Sequence, residues 1–109
     1  MKFGDILKSA EQEGKEKHVP VIEIKGTNSV TVIVGKEVPH PNTVEHHIEW
    51  VELFGMKPNG QVISLGRATF EAVYADPTVT FKVKVDEFKS FCALEYCNIH
   101  GVWQNCVEL

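Results

Sequence analysis

Apolar and polar positions alternate with a period of two over most of the chain, the pattern of strands that bury one face. Residues 19–25 (VPVIEIK) alternate, the turn residues Gly26, Thr27 and Asn28 follow, and residues 29–34 (SVTVIV) form a β-branched run that stops at Gly35. Residues 45–54 read as the next strand. Lys57-Pro58-Asn59-Gly60 is hairpin punctuation before a return arm over residues 61–73. Asp76-Pro77 breaks that arm ahead of residues 78–85 (TVTFKVKV), and residues 91–96 and 102–109 complete the set. Seven strand candidates joined by short turns predict an all-β fold, an immunoglobulin-like antiparallel β-sandwich. The first seventeen residues are a polar lead-in, with support for a helical turn only near residues 5–12. No repeat, low-complexity segment or linker interrupts the pattern, so residues 1–109 read as one domain.

Composition narrows the class. With 109 residues, 43% of them hydrophobic and 24% charged, the chain matches an ordinary globular protein and not a disordered tail, a fibre or a disulfide-stapled miniature. Fifteen acids against eleven bases give a net charge of −4, a poor balance for gripping nucleic acid or an anionic membrane, so neither is expected as a partner. The opening MKFGDILKSAEQEGKEKH has charges every few positions and no apolar stretch of signal-peptide length. No later run nears the ~20 apolar residues of a membrane span, and a cytoplasmic location is expected. Cys92, Cys97 and Cys106 are an odd number, which favours thiols or metal ligands over a disulfide framework.

The histidines carry the candidate chemistry. His18 sits where the lead-in meets the first strand, His40 lies between two prolines in PHPNT, His46 and His47 open a strand, and His100 follows Cys97 in CNIHG. Strand ends and loops are where a rigid sheet presents functional groups. Any one of these histidines alone is more often a packed or solvated side chain than a ligand. Several together, with a cysteine one turn from one of them, point to a metal. Successive strand residues face opposite ways, so only one of His46 and His47 can serve a given site, and alternation does not say which.

The donor set narrows the metal. Structural zinc prefers two or more thiolates in a closed tetrahedron. Blue copper uses two histidines, a cysteine and an axial methionine on a β-sandwich, but Met1 and Met56 are the only methionines and neither follows His100. Imidazoles with one thiolate suit an electron-rich iron equally well. A cupredoxin-like electron carrier and an immunoglobulin-like interaction module with adventitious metal remain as competing readings.

The strings EKHVPVIE, GKEVPHPNTVEHHI and CNIHGVW resemble, in order and spacing, the three signature segments of superoxide reductase. They are most similar to its one-iron (neelaredoxin) form and to the iron-binding module of desulfoferrodoxin. The resemblance spans residues 16–103 and implies a mononuclear non-haem iron with His18, His40, His46 and His100 around it and Cys97 on its axis. It thereby selects His46 over His47. It further implies that Glu16 occupies the sixth position on ferric iron and that Lys17 lies over the open face in the ferrous state, with Lys15 and Lys36 adding positive charge. The implied activity is one-electron reduction of superoxide to hydrogen peroxide, with re-reduction by rubredoxin or a similar small iron protein. The implied assembly is a homo-oligomer, often a tetramer. No CxxC occurs, so a second iron site is not expected.

The remaining conspicuous residues have plainer readings. Cys92 and Cys106 lie in strand patterns and are expected as small buried hydrophobes. Trp50 and Trp103 are expected in the core or at subunit contacts. Asn42 and Thr43 are expected to shape their loop, Glu45 to be solvated or to orient a ligand imidazole, and the amides of Ile99 and His100 to donate to the Cys97 sulfur.

Overall fold

The computed structural model describes residues 1–15 and 17–109. Among these, eight strands form two sheets: β1 (Leu7–Lys8), β2 (Val21–Lys25), β3 (Ser29–Ile33), β4 (Ile48–Met56), β5 (Val62–Thr69), β6 (Thr78–Lys82), β7 (Ser90–Cys97) and β8 (Gly101–Glu108). One sheet runs β1-β8-β7-β4-β5 and the other β2-β3-β6. All pairings are antiparallel except β1 with β8.

The sheets close on Val30 and Val32 of β3, Val51 and Leu53 of β4, and Phe91 and Ala93 of β7, each wholly removed from solvent. Alternation explains the last strand: Phe91, Ala93, Glu95 and Cys97 face inward, while Cys92, Leu94 and Tyr96 face out. Two glycines let aromatic rings approach the sheet. A Cβ at Gly55 would lie 2.6 Å from the Phe88 ring, and one at Gly66 would lie 2.8 Å from that of Phe81.

Some strand bounds and the cysteines differ from expectation. The helical turn expected near residues 5–12 takes the form of two three-residue 3-10 turns, Phe3–Asp5 and Ala10–Gln12, which flank β1. Each is held by a side chain reaching back to a backbone amide, Asp5 to Lys2 and Gln12 to Ser9. Between them Leu7 and Lys8 pair with Val102 and Trp103, closing the edge of β8. Strand β4 starts at Ile48 and not at residue 45, because residues 43–46 fold into a turn with backbone hydrogen bonds in both directions. Strand β5 ends at Thr69, since the chain turns beyond it, with the Ala75 amide donating to the Glu71 carbonyl and Val73 held at a φ of 76°.

Cys92 and Cys106 are not buried thiols. They stand opposite one another in the β7–β8 register and form a disulfide, Cys106 exposed and Cys92 half-buried. An odd cysteine count hid the pair because the third, Cys97, takes no part in it and sits buried elsewhere on β7.

Candidate metal centre

Five side chains converge at one end of the sandwich. His18 comes from the segment before β2, His40 and His46 from the β3–β4 connection, Cys97 from the end of β7 and His100 from the β7–β8 turn. The four imidazoles form a closed ring, each edge-on to the next: His18 to His40 at 4.8 Å between centroids, His40 to His46 at 4.9 Å, His46 to His100 at 5.1 Å, and His100 to His18 at 4.9 Å. The Cys97 sulfur lies 3.7 Å from Nε2 of His40 and 3.9 Å from Nδ1 of His100. Donor atoms of His18, His46, Cys97 and His100 all fall within 4.8 Å of one another.

These separations fit one ion. Imidazole nitrogens bound side by side at about 2.1 Å stand about 3.0 Å apart, and across the ion about 4.2 Å apart. The Nε2 atoms of His18 and His40 are 3.1 Å apart. Nδ1 of His40 sits 2.7 Å from the Pro41 carbonyl, so a proton held there leaves the Nε2 lone pair facing the ring. Burial is deep on this side: His18 is 4% exposed, His40 7% and Cys97 0%.

Local sequence explains how the loops hold these positions. In the loop of His40 and His46, the Thr43 hydroxyl accepts the His46 amide at 3.0 Å. Asn42 ties the loop to the turn after β5, accepting from the Val73 amide at 2.8 Å and donating to the Ala75 carbonyl at 3.2 Å. Gly35 has a φ of +81°, and a Cβ there would meet the His40 amide nitrogen at 2.6 Å. Asn98, between Cys97 and His100, accepts from the His47 amide and donates to the Glu45 carbonyl, both at 2.9 Å, joining the two ligand-bearing turns. The His100 amide donates to the Cys97 sulfur at 3.4 Å, one of the two donations expected. The Glu45 side chain is exposed, and His47 lies outside the ring of imidazoles.

Residues that the pattern of strands does not single out complete the surroundings. Glu13 accepts from the backbone amides of His18 and Val19, at 2.8 and 2.7 Å, and so pins the His18 segment. Trp103 stacks on His18 and donates its indole N–H to the His100 carbonyl, which also accepts from Lys8 at 2.9 Å. Glu95 is fully buried two residues before Cys97, and neither carboxyl oxygen has a partner among the described residues. Burial, and secondarily the charge of Glu13, push its pKa up to about 9, so it is a neutral acid at pH 7. Its signal was legible as a lone acid on the apolar face of β7. Lys8 and Glu13 carried none, because their roles depend on contacts made across the fold.

Positive charge gathers in two places. Lys8, Gln12 and Lys15 line a hollow with His18, His100 and Trp103. Lys17, half-buried, lines a neighbouring hollow with Glu13, Val19 and Lys36, and Lys36 is paired with Glu23. That partner holds the Glu23 carboxyl below its usual range. Glu16 lies outside the described residues.

The chain is similar throughout its length to proteins of one kind. It is 46% identical to superoxide reductase of Pyrococcus abyssi, with 96% of each chain covered, and 37% identical to neelaredoxin of Megalodesulfovibrio gigas, with 96% and 95% covered. A crystal structure of superoxide reductase in the oxidized state superposes with a TM-score of 0.88 at 40% identity, covering 99% of both chains. The family model for desulfoferrodoxin matches residues 10–106. This chain belongs to the desulfoferrodoxin family.

Proposed function

We propose that the chain is a superoxide reductase, reducing superoxide by one electron to hydrogen peroxide at a mononuclear non-haem iron held by His18, His40, His46, His100 and Cys97. The observation that carries this reading is the closed ring of four imidazoles with one thiol sulfur beside it. Four neutral nitrogens and a single sulfur are neither the thiolate-rich set of structural zinc nor the two-histidine set of blue copper. Relatives named superoxide reductase support the same assignment.

Iron bound there supplies the electron, cycling between ferrous and ferric states. The protein's own groups do the rest. The Cys97 thiolate raises electron density at the centre, and the His100 amide moderates that donation through its bond to sulfur. Superoxide is an anion and the chain carries −4, so capture needs local positive charge. Lys17 fills that role and organises the proton delivered to the reduced oxygen, with Lys15 and Lys8 extending the positive field over the imidazole edge. Glu16 would serve as a replaceable ligand when the iron is ferric. A small electron-transfer protein of the rubredoxin kind returns the electron, and the activity removes superoxide without producing dioxygen. The same reading includes self-association, as a tetramer.

Metal analysis of protein purified without added metal, with its oxidised visible spectrum, tests the proposal. One iron per chain and a thiolate-to-ferric band lost in Cys97→Ser are expected. Stoichiometric copper, or mixed metals well below one per chain, would overturn it.

A further inference from the structure

The β7–β8 hairpin carries a covalent ring of its own. Cys92 and Cys106 are paired in register with Cα atoms 4.0 Å apart, and their sulfurs are bonded. The ring spans residues 92–106 and so encloses Cys97, Asn98, His100 and Trp103: the thiol, the amide that joins the two ligand turns, an imidazole and the indole stacked on His18. The two bonded cysteines lie on the outer face of the sheet, while Cys97 faces the core. Cys106 is exposed and Cys92 half-buried, so a thiolate arriving from solvent meets the Cys106 sulfur first.

A cross-link of this kind removes open conformations of the segment it closes. Here that segment holds two members of the candidate metal centre at the tip of the β7–β8 hairpin. We propose that Cys92 and Cys106 are a thiol–disulfide exchange site, opened by a dithiol and re-formed by hydrogen peroxide, whose state sets how firmly the turn at residues 97–100 holds its metal. The metal part of this inference rests on the function proposed above.

Each step balances. A thiolate of the dithiol attacks the Cys106 sulfur, the 92–106 bond breaks, and Cys92 leaves as a thiolate that takes a proton. The second thiol of the reductant attacks the mixed disulfide, loses its proton, and releases Cys106 as a thiolate that takes one. The protein gains two electrons and two protons, and the dithiol becomes a disulfide. In the reverse direction a Cys106 thiolate attacks one oxygen of hydrogen peroxide, and the O–O bond breaks with loss of hydroxide, which is protonated to water. The Cys92 thiol then displaces a second water from the resulting sulfenic acid. The oxidant is the product of superoxide reduction, so turnover tightens the hairpin that supports it.

The test uses the full chain loaded with ferrous iron, with dithiothreitol as the reductant and a coloured ferrous chelator as the acceptor. Dithiothreitol is expected to speed iron transfer by about tenfold in the wild type. Cys106→Ser and the double variant Cys92→Ala, Cys106→Ala are expected to lose iron at the fast rate with or without dithiothreitol. Equal wild-type rates in the two conditions, or absence of a 92–106 bond on peptide mapping of the purified protein, would overturn the switch. Amide hydrogen exchange on the metal-free chain reads the hairpin without iron: reduction should accelerate exchange at residues 97–103, and one equivalent of peroxide should restore protection. Unchanged exchange there overturns the switch whatever the metal content, whereas failure to bind iron with a responsive hairpin counts against the metal centre alone.

Discussion

Trp103 lies flat against His18, with ring centroids 4.7 Å apart and planes inclined by 12°, while its indole nitrogen donates to the His100 carbonyl at 3.2 Å. One side chain thus fixes the orientation of one candidate ligand and the backbone of another. Trp103→Phe keeps a ring over His18 and loses the hydrogen bond, which predicts a loss of about 1 kcal/mol in unfolding free energy. Trp103→Ala removes both and opens a cavity, predicting a loss of about 3–5 kcal/mol. Urea denaturation of the two variants checks the ranking, and iron content should fall in the order wild type, Phe, Ala.

Capture of an anion by a chain of charge −4 makes the local lysines separable by salt. Lys17→Ala is expected to slow superoxide capture several-fold at low ionic strength and to flatten its salt dependence, with iron content unchanged. Lys8→Gln keeps a donor for the His100 carbonyl while removing a charge from the hollow beside it, so a smaller slowing of the same kind is expected. Stopped-flow rates at two ionic strengths measure both, and a Lys17→Ala rate equal to wild type at low salt would remove that residue from steering.

Alternation exposed the long strands because each buries one face against the other sheet, as β7 does with Phe91, Ala93 and Cys97. It failed where backbone hydrogen bonds overrule side-chain pattern, at the turn of residues 43–46 and beyond Thr69. It missed β1 because two residues carry no period, and their pairing with Val102 and Trp103 comes from distant sequence. The Cys92–Cys106 bond needed the β7–β8 register, which spacing alone does not give. At the site, the residue types and their three surrounding strings were readable in the chain. The supports were not: Glu13 and Asn98 act through backbone amides of other segments, contacts that exist only once the loops have met.

Glu95 makes stability depend on pH in a direction opposite to that of most acids. Its folded-state pKa is raised to about 9, so the native state keeps a proton that the unfolded chain releases near 4.5. The stabilising contribution is therefore complete below about pH 4.5 and is lost as pH rises towards 9. Glu95→Gln keeps the shape and cannot ionise. In denaturation of the metal-free protein, wild-type stability relative to Glu95→Gln should fall steadily from pH 5 to pH 9. A difference that stays constant over that range would show that the carboxyl is not held neutral.

Gly35 ends β3's run and admits the His40 backbone where no side chain fits. Its φ of +81° is one that residues with a Cβ rarely adopt, and a Cβ would sit 2.6 Å from the His40 amide nitrogen and 3.0 Å from the Val38 carbonyl oxygen. Both neighbours are backbone atoms, so a larger residue can be accommodated only by moving the loop. Gly35→Ala is accordingly expected to lower stability by about 1–3 kcal/mol. More specifically, it should displace His40 from its 3.1 Å approach to His18. Gly60→Ala is the matched control: its φ is +89°, but nothing lies within 4 Å of its Cβ position and the hairpin it serves is remote in sequence from every candidate ligand. Both variants should lose thermal stability from backbone strain, but only Gly35→Ala should also lose iron affinity and shift the thiolate-to-ferric band. Equal iron binding by the two variants would show that the close approach at Gly35 does not set the position of His40.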